Sequence, residues 1–143
     1  MRLTSFTDYG LRMLMRMANA PEQSFSTAEF AEEFGLSRNH LAKIVQHLSR
    51  AGLIRTRRGG GGGAVLARPP AQIRLGDIVQ SLEAGHPLVE CLGAEGGDCT
   101  LDGRCLLKGR LRMAEAAFYA ELNRSTLADV AIAGALRMPG SGG

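Results

Sequence analysis

A mainly α-helical fold with a small β-wing is what this sequence predicts, on three observations. Aromatics amount to 5%, tryptophan is absent, and the 45% apolar content is rich in Leu, Ala and Met, a composition that favours helices packed on helices. Capping residues precede several segments whose apolar residues recur at helical spacing. One pair of short β-like runs flanks five consecutive glycines, Gly59 to Gly63. At 143 residues the chain can bury one ordinary core, so one compact protomer is expected.

Thr4, Ser5 and Thr7 offer capping hydroxyls to a first helix with Leu11, Leu14, Met15 and Ala18 at helical spacing, which Pro21 stops. Ser26 and Glu29 form a capping box, each side chain satisfying the other's free amide, ahead of Ala28, Phe30, Ala31 and Phe34. Gly35 supplies a turn, and Ser37 is placed to cap a third helix through Leu41, Ile44, Val45 and Leu48 that closes at Gly52. Two short helices joined by a glycine-containing turn, the second one basic, are the organisation of a helix-turn-helix. Small Ala31 permits close crossing, and Leu36 can plug the corner.

Leu53 to Arg58 then reads as a strand, Gly59 to Gly63 as a loop tip and Ala64 to Ala67 as the returning strand before Pro69-Pro70, which together make a wing. A fourth helix is expected from Leu75 to Ala84, ending at Gly85-His86-Pro87. The next stretch holds Gly93, Gly96, Gly97 and Gly103, which argue against regular structure. From Leu106 to Leu122 the chain reads as a long helix with Leu107, Leu111, Ala114 and Phe118 on one stripe, expected as a dimer seam or as an internal packing face. Thr126 and Asp129 look like a last capping box, and Pro139 to Gly143 like a frayed tail. Residues 1–70 form the expected winged helix-turn-helix region, and 71–143 the cysteine loop and dimerisation helix.

The net charge of +3 conceals an asymmetry. Between Phe34 and Gly76 lie eight cationic residues, Arg38, Lys43, Arg50, Arg55, Arg57, Arg58, Arg68 and Arg74, and no Asp or Glu. A solvated surface ordinarily mixes both signs, so this stretch points to a polyanion, and with the wing to double-stranded DNA. Ser37, Arg38, Asn39, His40 and Lys43 fall at the start of the reading helix, the part that enters a major groove. Arg38 and His40 are expected at base edges, and Ser37 and Lys43 at phosphates. Arg57 and Arg58 at the wing base are expected to meet phosphate or a narrow minor groove.

All three cysteines, Cys91, Cys99 and Cys105, lie within fifteen residues. Arg2, Asp8, Arg12 and Arg16 interrupt any apolar run near the start, and no stretch reaches membrane-spanning length, so a cytoplasmic protein without membrane association is expected. In a reducing compartment, clustered thiols of odd number suit a metal or a redox element better than a disulfide framework. The spacing Cys-x7-Cys-x5-Cys is wider than the short knuckles of zinc sites and fits a larger object such as an iron–sulfur cluster. Three thiols leave one position of a four-ligand cluster to another donor. Asp8, Glu90, Asp98, Asp102 and His86 are the candidates, and spacing does not choose among them. No nucleophile–base pair, phosphate loop or hydrolase metal pattern is present, so no enzyme is expected.

With these residues assembled, the chain resembles the NsrR-type nitric-oxide-sensing repressors of the Rrf2 superfamily of winged-helix regulators. The resemblance is carried by the opening stretch Met1 to Arg12, by Leu36 to Val45, by Leu66 to Pro70, by the three cysteines and by Thr126 to Asp129. It departs in the wide Cys91–Cys99 gap and the all-glycine wing tip. The resemblance implies a homodimer with an iron–sulfur cluster, most simply [4Fe–4S] and alternatively [2Fe–2S]. Cys91, Cys99 and Cys105 would hold that cluster, with Asp8 donated across the dimer as the oxygen ligand. It also implies a repressor that binds operator DNA when loaded and lets go on reaction with nitric oxide. Read from the residues alone, Asp8 is a first-turn acid complementing a helix dipole. An iron-sensing or cluster-biogenesis regulator of the same superfamily, and a metal-free thiol switch, are the competing expectations.

Overall fold

The computed structural model describes residues 2–57, 63–89, 92 and 105–132. Helix α1 (Ser5–Asn19) is followed by α2 (Thr27–Phe34), α3 (Arg38–Arg50) and the antiparallel strands β1 (Ile54–Arg57) and β2 (Gly63–Leu66). A short 3-10 turn at Pro70–Gln72 leads to α4 (Leu75–Leu82), then α5 (Leu106–Leu122) and a final 3-10 turn at Leu127–Val130. The fold is thus mostly helical, with one small two-stranded sheet.

Side-chain caps fix the helix starts. Thr4 Oγ accepts the Thr7 N–H at 3.2 Å. At α2, Ser26 and Glu29 exchange hydrogen bonds of 3.1 Å in both directions, the expected capping box. Gly35 adopts the left-handed conformation at φ 68°, which releases the chain from α2 into α3 within three residues. Ser37 Oγ accepts the His40 N–H at 3.1 Å and caps α3. Thr126 donates its backbone N–H to the Asp129 carboxylate at 2.8 Å, opening a 3-10 turn.

The strands pair with Ile54 opposite Leu66 and Arg57 opposite Gly63. Phe25 adds a third rung, exchanging two backbone bonds with Ala64 at 2.9 and 2.8 Å. The wing is thereby stitched to the segment ahead of α2. The expected tip lies outside the described residues up to Gly62, as do Arg58, Cys91, Cys99, Glu90, Asp98, Asp102 and the tail from 133 onward.

One core joins helices α1 through α4, the wing strands and the final 3-10 turn, and α5 adds no residue to it. Met13, Leu14 and Met17 of α1, Phe30 of α2, Leu41, Ile44 and Leu48 of α3, Ile54, Ile73, Ile78, Leu82 and Leu127 are its fully buried members. Leu11 and Met15, expected on the buried stripe of α1, are only partly buried, because Met13 and Met17 face inward instead. Helix α4 crosses the end of α5 closely at Gly76, where a Cβ would stand 2.3 Å from the Tyr119 carbonyl oxygen. Asn123 closes this crossing: its Oδ1 accepts the Asp77 N–H at 3.0 Å and its Nδ2 donates to Asp77 Oδ1 at 3.2 Å. Arg74 donates to the Asn123 carbonyl at 2.8 Å. Among the described residues, no helix is long and apolar enough to cross a membrane.

Candidate nucleic-acid interface and cysteine site

Helix α3 separates its faces by spacing. Leu41, Ile44 and Leu48 are fully buried, while Arg38, Asn39, Ala42, Lys43, Gln46 and Arg50 are exposed. That exposed face carries cations and amides and no carboxylate, the chemistry that meets phosphates and base edges. Arg38, Asn39 and Lys43 therefore stand free of the core. Ser37 is exposed, and its hydroxyl oxygen accepts the His40 N–H in the α3 cap. His40 is half-buried, its ring edge-on to Tyr9 at 6.2 Å between centroids, so part of it serves packing. Gln46 was not anticipated, although it lies three residues beyond Lys43 on the same face.

On the wing, Arg57 is exposed at the end of β1, and Arg55 is exposed two residues earlier. Both line one cleft with Arg68 and the Pro69-Pro70 turn. Not every cation of the molecule is available in this way. Arg16 is held by Glu33 at 2.8 Å and lies over the Phe25 ring at 5.1 Å.

Of the cysteines only Cys105 is described. It is half-buried with a free thiol, at the position preceding α5, whose amides have no side-chain cap. Asp8 lies in the first turn of α1 as expected, with its side chain 52% exposed and doubly bonded by Arg12 at 3.1 and 3.0 Å. The Arg12 guanidinium also rests over Tyr9, 5.1 Å from its centroid. Among the described residues no three His, Cys, Asp or Glu side chains converge as a metal site. The donor chemistry nonetheless fits iron: Cys105 offers a soft thiolate and Asp8 an exposed carboxylate that a ligand role would draw from Arg12.

Two links tie these surfaces together, and neither was read from the sequence. Glu83, just past the end of α4, turns its Oε2 onto the start of α1. There it accepts the Thr4 N–H at 2.9 Å, the Thr4 hydroxyl at 2.7 Å and the hydroxyl of fully buried Thr7. Burial pushes this carboxyl up, but the hydrogen bonds from Thr7 and Thr4 outweigh it, with help from the His86 charge, and hold Glu83 below the ordinary carboxylate range. The second link is His47 of α3, whose Nε2 lies 2.8 Å from the Ser81 carbonyl and 3.2 Å from the Ser81 hydroxyl. Its ring stands edge-on to Phe6 at 5.5 Å. A histidine on a basic helix gives no sequence signal for such a partner.

The helical head, paired wing and acid-free reading face define a winged helix-turn-helix DNA-binding protein. Residues 3–133 match the model of the Rrf2 family, described as iron-dependent transcriptional regulators. The chain belongs to that family, and its function is that of a DNA-binding transcriptional regulator. Its structure is similar to that of CymR (YrzC), the global cysteine regulator of B. subtilis, with a TM-score of 0.70 and 29% identity over 92% of this chain and 96% of that one. T. potens IscR is similar with a TM-score of 0.68 and 28% identity over 90% of this chain and 85% of the other. The oxidized form of Staphylococcus aureus CymR gives 0.69 and 30% identity, over 92% and 96%.

Proposed function

We propose that this chain is a homodimeric cytoplasmic repressor that binds operator DNA while it carries an iron–sulfur cluster and releases it in response to nitric oxide. The observation that carries the reading is the coexistence in one protomer of the α3 face, bearing Arg38, Asn39, His40 and Lys43, with the thiol-and-carboxylate set Cys91, Cys99, Cys105 and Asp8. Ser37 fixes the start of α3 and offers a phosphate contact, and Arg57 and Arg58 extend the footprint along the wing. The three cysteines would hold the cluster, [4Fe–4S] or alternatively [2Fe–2S], with the carboxylate of Asp8 of the partner subunit in the remaining position. Bound there, the cluster would supply an iron with incomplete thiolate ligation that a diatomic molecule can attack. The chain's own part is to hold Asp8 near the start of α1 and to tie that helix, through α4 and His47, to the reading helix.

Purification without oxygen, followed by absorption spectroscopy and iron and sulfide analysis, tests the first half. Protein that stays colourless and iron-free after reconstitution rejects it. Titration with nitric oxide, with DNA selected from a random pool by the loaded protein, tests the second. Bleaching and DNA release should follow the same number of equivalents, and DNA that stays bound after full reaction would favour an iron-availability regulator instead. A metal-free thiol switch is the second reading, supported by the similarity to the oxidized form of Staphylococcus aureus CymR and by the free thiol of Cys105. Iron-free protein whose DNA affinity follows a disulfide would establish it.

A further inference from the structure

We infer that the outer face of the wing is a binding site for a small organic phosphate, a phosphate monoester carried on an apolar body. Strand register separates the two faces of the hairpin, because side chains alternate along a strand. Ile54 and Thr56 pair with Leu66 and Ala64 on the inward face, where Ile54, Ala64 and Leu66 join the core. There Thr56 borders a cavity with Val45 of α3 and Phe30 of α2. Arg55 and Arg57 pair with Val65 and Gly63 on the opposite face. Arg57, at the strand end, borders the inward cavity as well. The outer face holds a cleft of about 540 Å³, within the range of small-molecule sites. Val65 is its floor: only 4% exposed, it is nonetheless no member of the core, so the surrounding cleft is what shields it.

Three segments build the cleft: β1 with Arg55 and Arg57, the chain after β2 with Arg68, Pro69 and Pro70, and the turn after α1 with Pro21 and Glu22. Backbone bonds hold each in place. The Ala67 N–H donates to the Leu53 carbonyl at 3.0 Å, the Gln72 N–H to the Pro69 carbonyl at 2.9 Å, and the Gln23 N–H to the Ala20 carbonyl at 2.9 Å. The walls are thus organised before a ligand arrives, which lowers the cost of binding. Arg12, Arg16 and Arg124 are each held by a carboxylate. Arg55, Arg57 and Arg68, by contrast, are exposed and make no ion pair among the described residues. Arginine forks match phosphate oxygens, and three of them together offset a dianion. Val65 and the three prolines accept the apolar body, a surface for which a DNA backbone has no use. Glu22, the one carboxylate lining the cleft, repels an anion from its own end and so sets which way the ligand lies.

Amide NMR titration of the full chain with phenyl phosphate, inorganic phosphate and benzoate tests the site. Phenyl phosphate should saturate below about 10 mM and shift the amides of Arg55, Val65 and Ala67 while those of Leu41 and Ile44 stay in place. It should bind about tenfold more tightly than inorganic phosphate, because its ring leaves water against Val65 and the prolines. It should also bind about tenfold more tightly than benzoate, whose single charge engages fewer arginines. Arg55→Met and Arg68→Met keep an apolar stem and remove the charge; each should weaken phenyl phosphate by about tenfold, the size of one lost charge-assisted bond. Arg124→Met removes an exposed cation elsewhere and should leave its binding unchanged, and Glu22→Gln should tighten it by about twofold. Failure to saturate, inorganic phosphate or benzoate binding as tightly as phenyl phosphate, or an equal loss in Arg124→Met would overturn the inference. Addition of a DNA duplex at matched ionic strength separates this site from the DNA footprint. Phenyl phosphate retained on the DNA-bound protein supports a separate site. If instead the duplex displaces it, and Arg55→Met and Arg68→Met weaken duplex and phenyl phosphate alike, the cleft is a DNA contact and the inference falls.

Discussion

Helices α3 and α5 are similar in length and opposite in how they are used. Helix α3 buries Leu41, Ile44 and Leu48 completely against its own chain. Helix α5 has no fully buried residue, and Leu106, Leu107 and Met113 are 88%, 60% and 65% exposed. It is held chiefly at its far end, where Tyr119 and Asn123 meet Gly76 and Asp77 of α4. The reading head is thus complete within one chain, whereas α5 presents apolar side chains that water disfavours. In the proposed homodimer, these exposed apolar side chains are the reason to propose that the second copy packs along α5.

The sharpest way to break this contrast is to damage each helix's apolar residues in turn. Phe30 stacks between Phe25 and Phe34 at 5.3 and 5.6 Å and belongs to the same core cluster as Leu41, Ile44 and Leu48 of α3. Phe30→Ala should cost about 3–5 kcal/mol in chemical denaturation, the usual loss for a buried aromatic. Replacing Leu107 and Met113 by Ala should leave the intrinsic stability of the protomer within about 0.5 kcal/mol, as for other exposed positions. Sedimentation should nevertheless show a weaker dimer. An α5 double variant that unfolds the protomer as badly as Phe30→Ala would show that α5 is packed within its own chain.

A smaller effect is expected where the two halves join. The Cβ of Gly76→Ala would meet the Tyr119 carbonyl and Asn123, so α4 and α5 must separate, at about 1–3 kcal/mol. Comparable in size but different in kind are changes on the α3 surface. Arg38→Ala should lose about 1–3 kcal/mol on the preferred DNA and relax preference at one base pair, whereas Lys43→Ala should weaken all sequences alike. Equal losses on preferred and scrambled DNA for Arg38→Ala would remove it from base reading. Replacing Arg57 and Arg58 together should flatten the slope of log K against log salt by up to about two per protomer if the wing touches DNA.

Local chemistry was legible in the sequence, and long-range chemistry was not. The caps at Thr4, Ser26 and Ser37 follow from neighbours within four residues, which is the range over which capping acts. The wing strands run Ile54–Arg57 and Gly63–Leu66, so the first starts one residue after the expected Leu53 and the second lies one residue ahead of the expected Ala64 to Ala67, while the expected end at Arg58 falls outside the described residues. Helix α4 ends at Leu82 rather than Ala84, with Glu83 turned back to α1. That bond, like those of His47 with Ser81 and Asn123 with Asp77, joins residues more than thirty apart. Nothing in the spacing of a single sequence marks such pairs. Of the candidate site, the exposed face of α3 could be read from period and charge, whereas the half-buried setting of His40 depends on Tyr9 of another helix.

The smallest predicted effect concerns acid, and it sharpens the contrast between the two ends of α1. Glu83 is held below the ordinary carboxylate range in the folded protein, so folding favours its charged form. The stability it contributes is therefore fully present above the ordinary value of 4.5 and is lost as pH falls from there through the lowered folded value. Because the group is only partly shielded from water, the effect is a modest slope and not a collapse. Between pH 5 and pH 3, wild-type protein should lose slightly more stability than Glu83→Gln, which has no proton to take up. In the same window the Thr7 and Asp8 amides should gain exchange before those of α3, since Met13, Leu14 and Met17 anchor the rest of α1 by apolar contacts that pH does not touch. Identical acid profiles for the two proteins would show that the carboxylate grips Thr4 and Thr7 no better folded than an amide does, and that the start of α1 is held by its own cap alone.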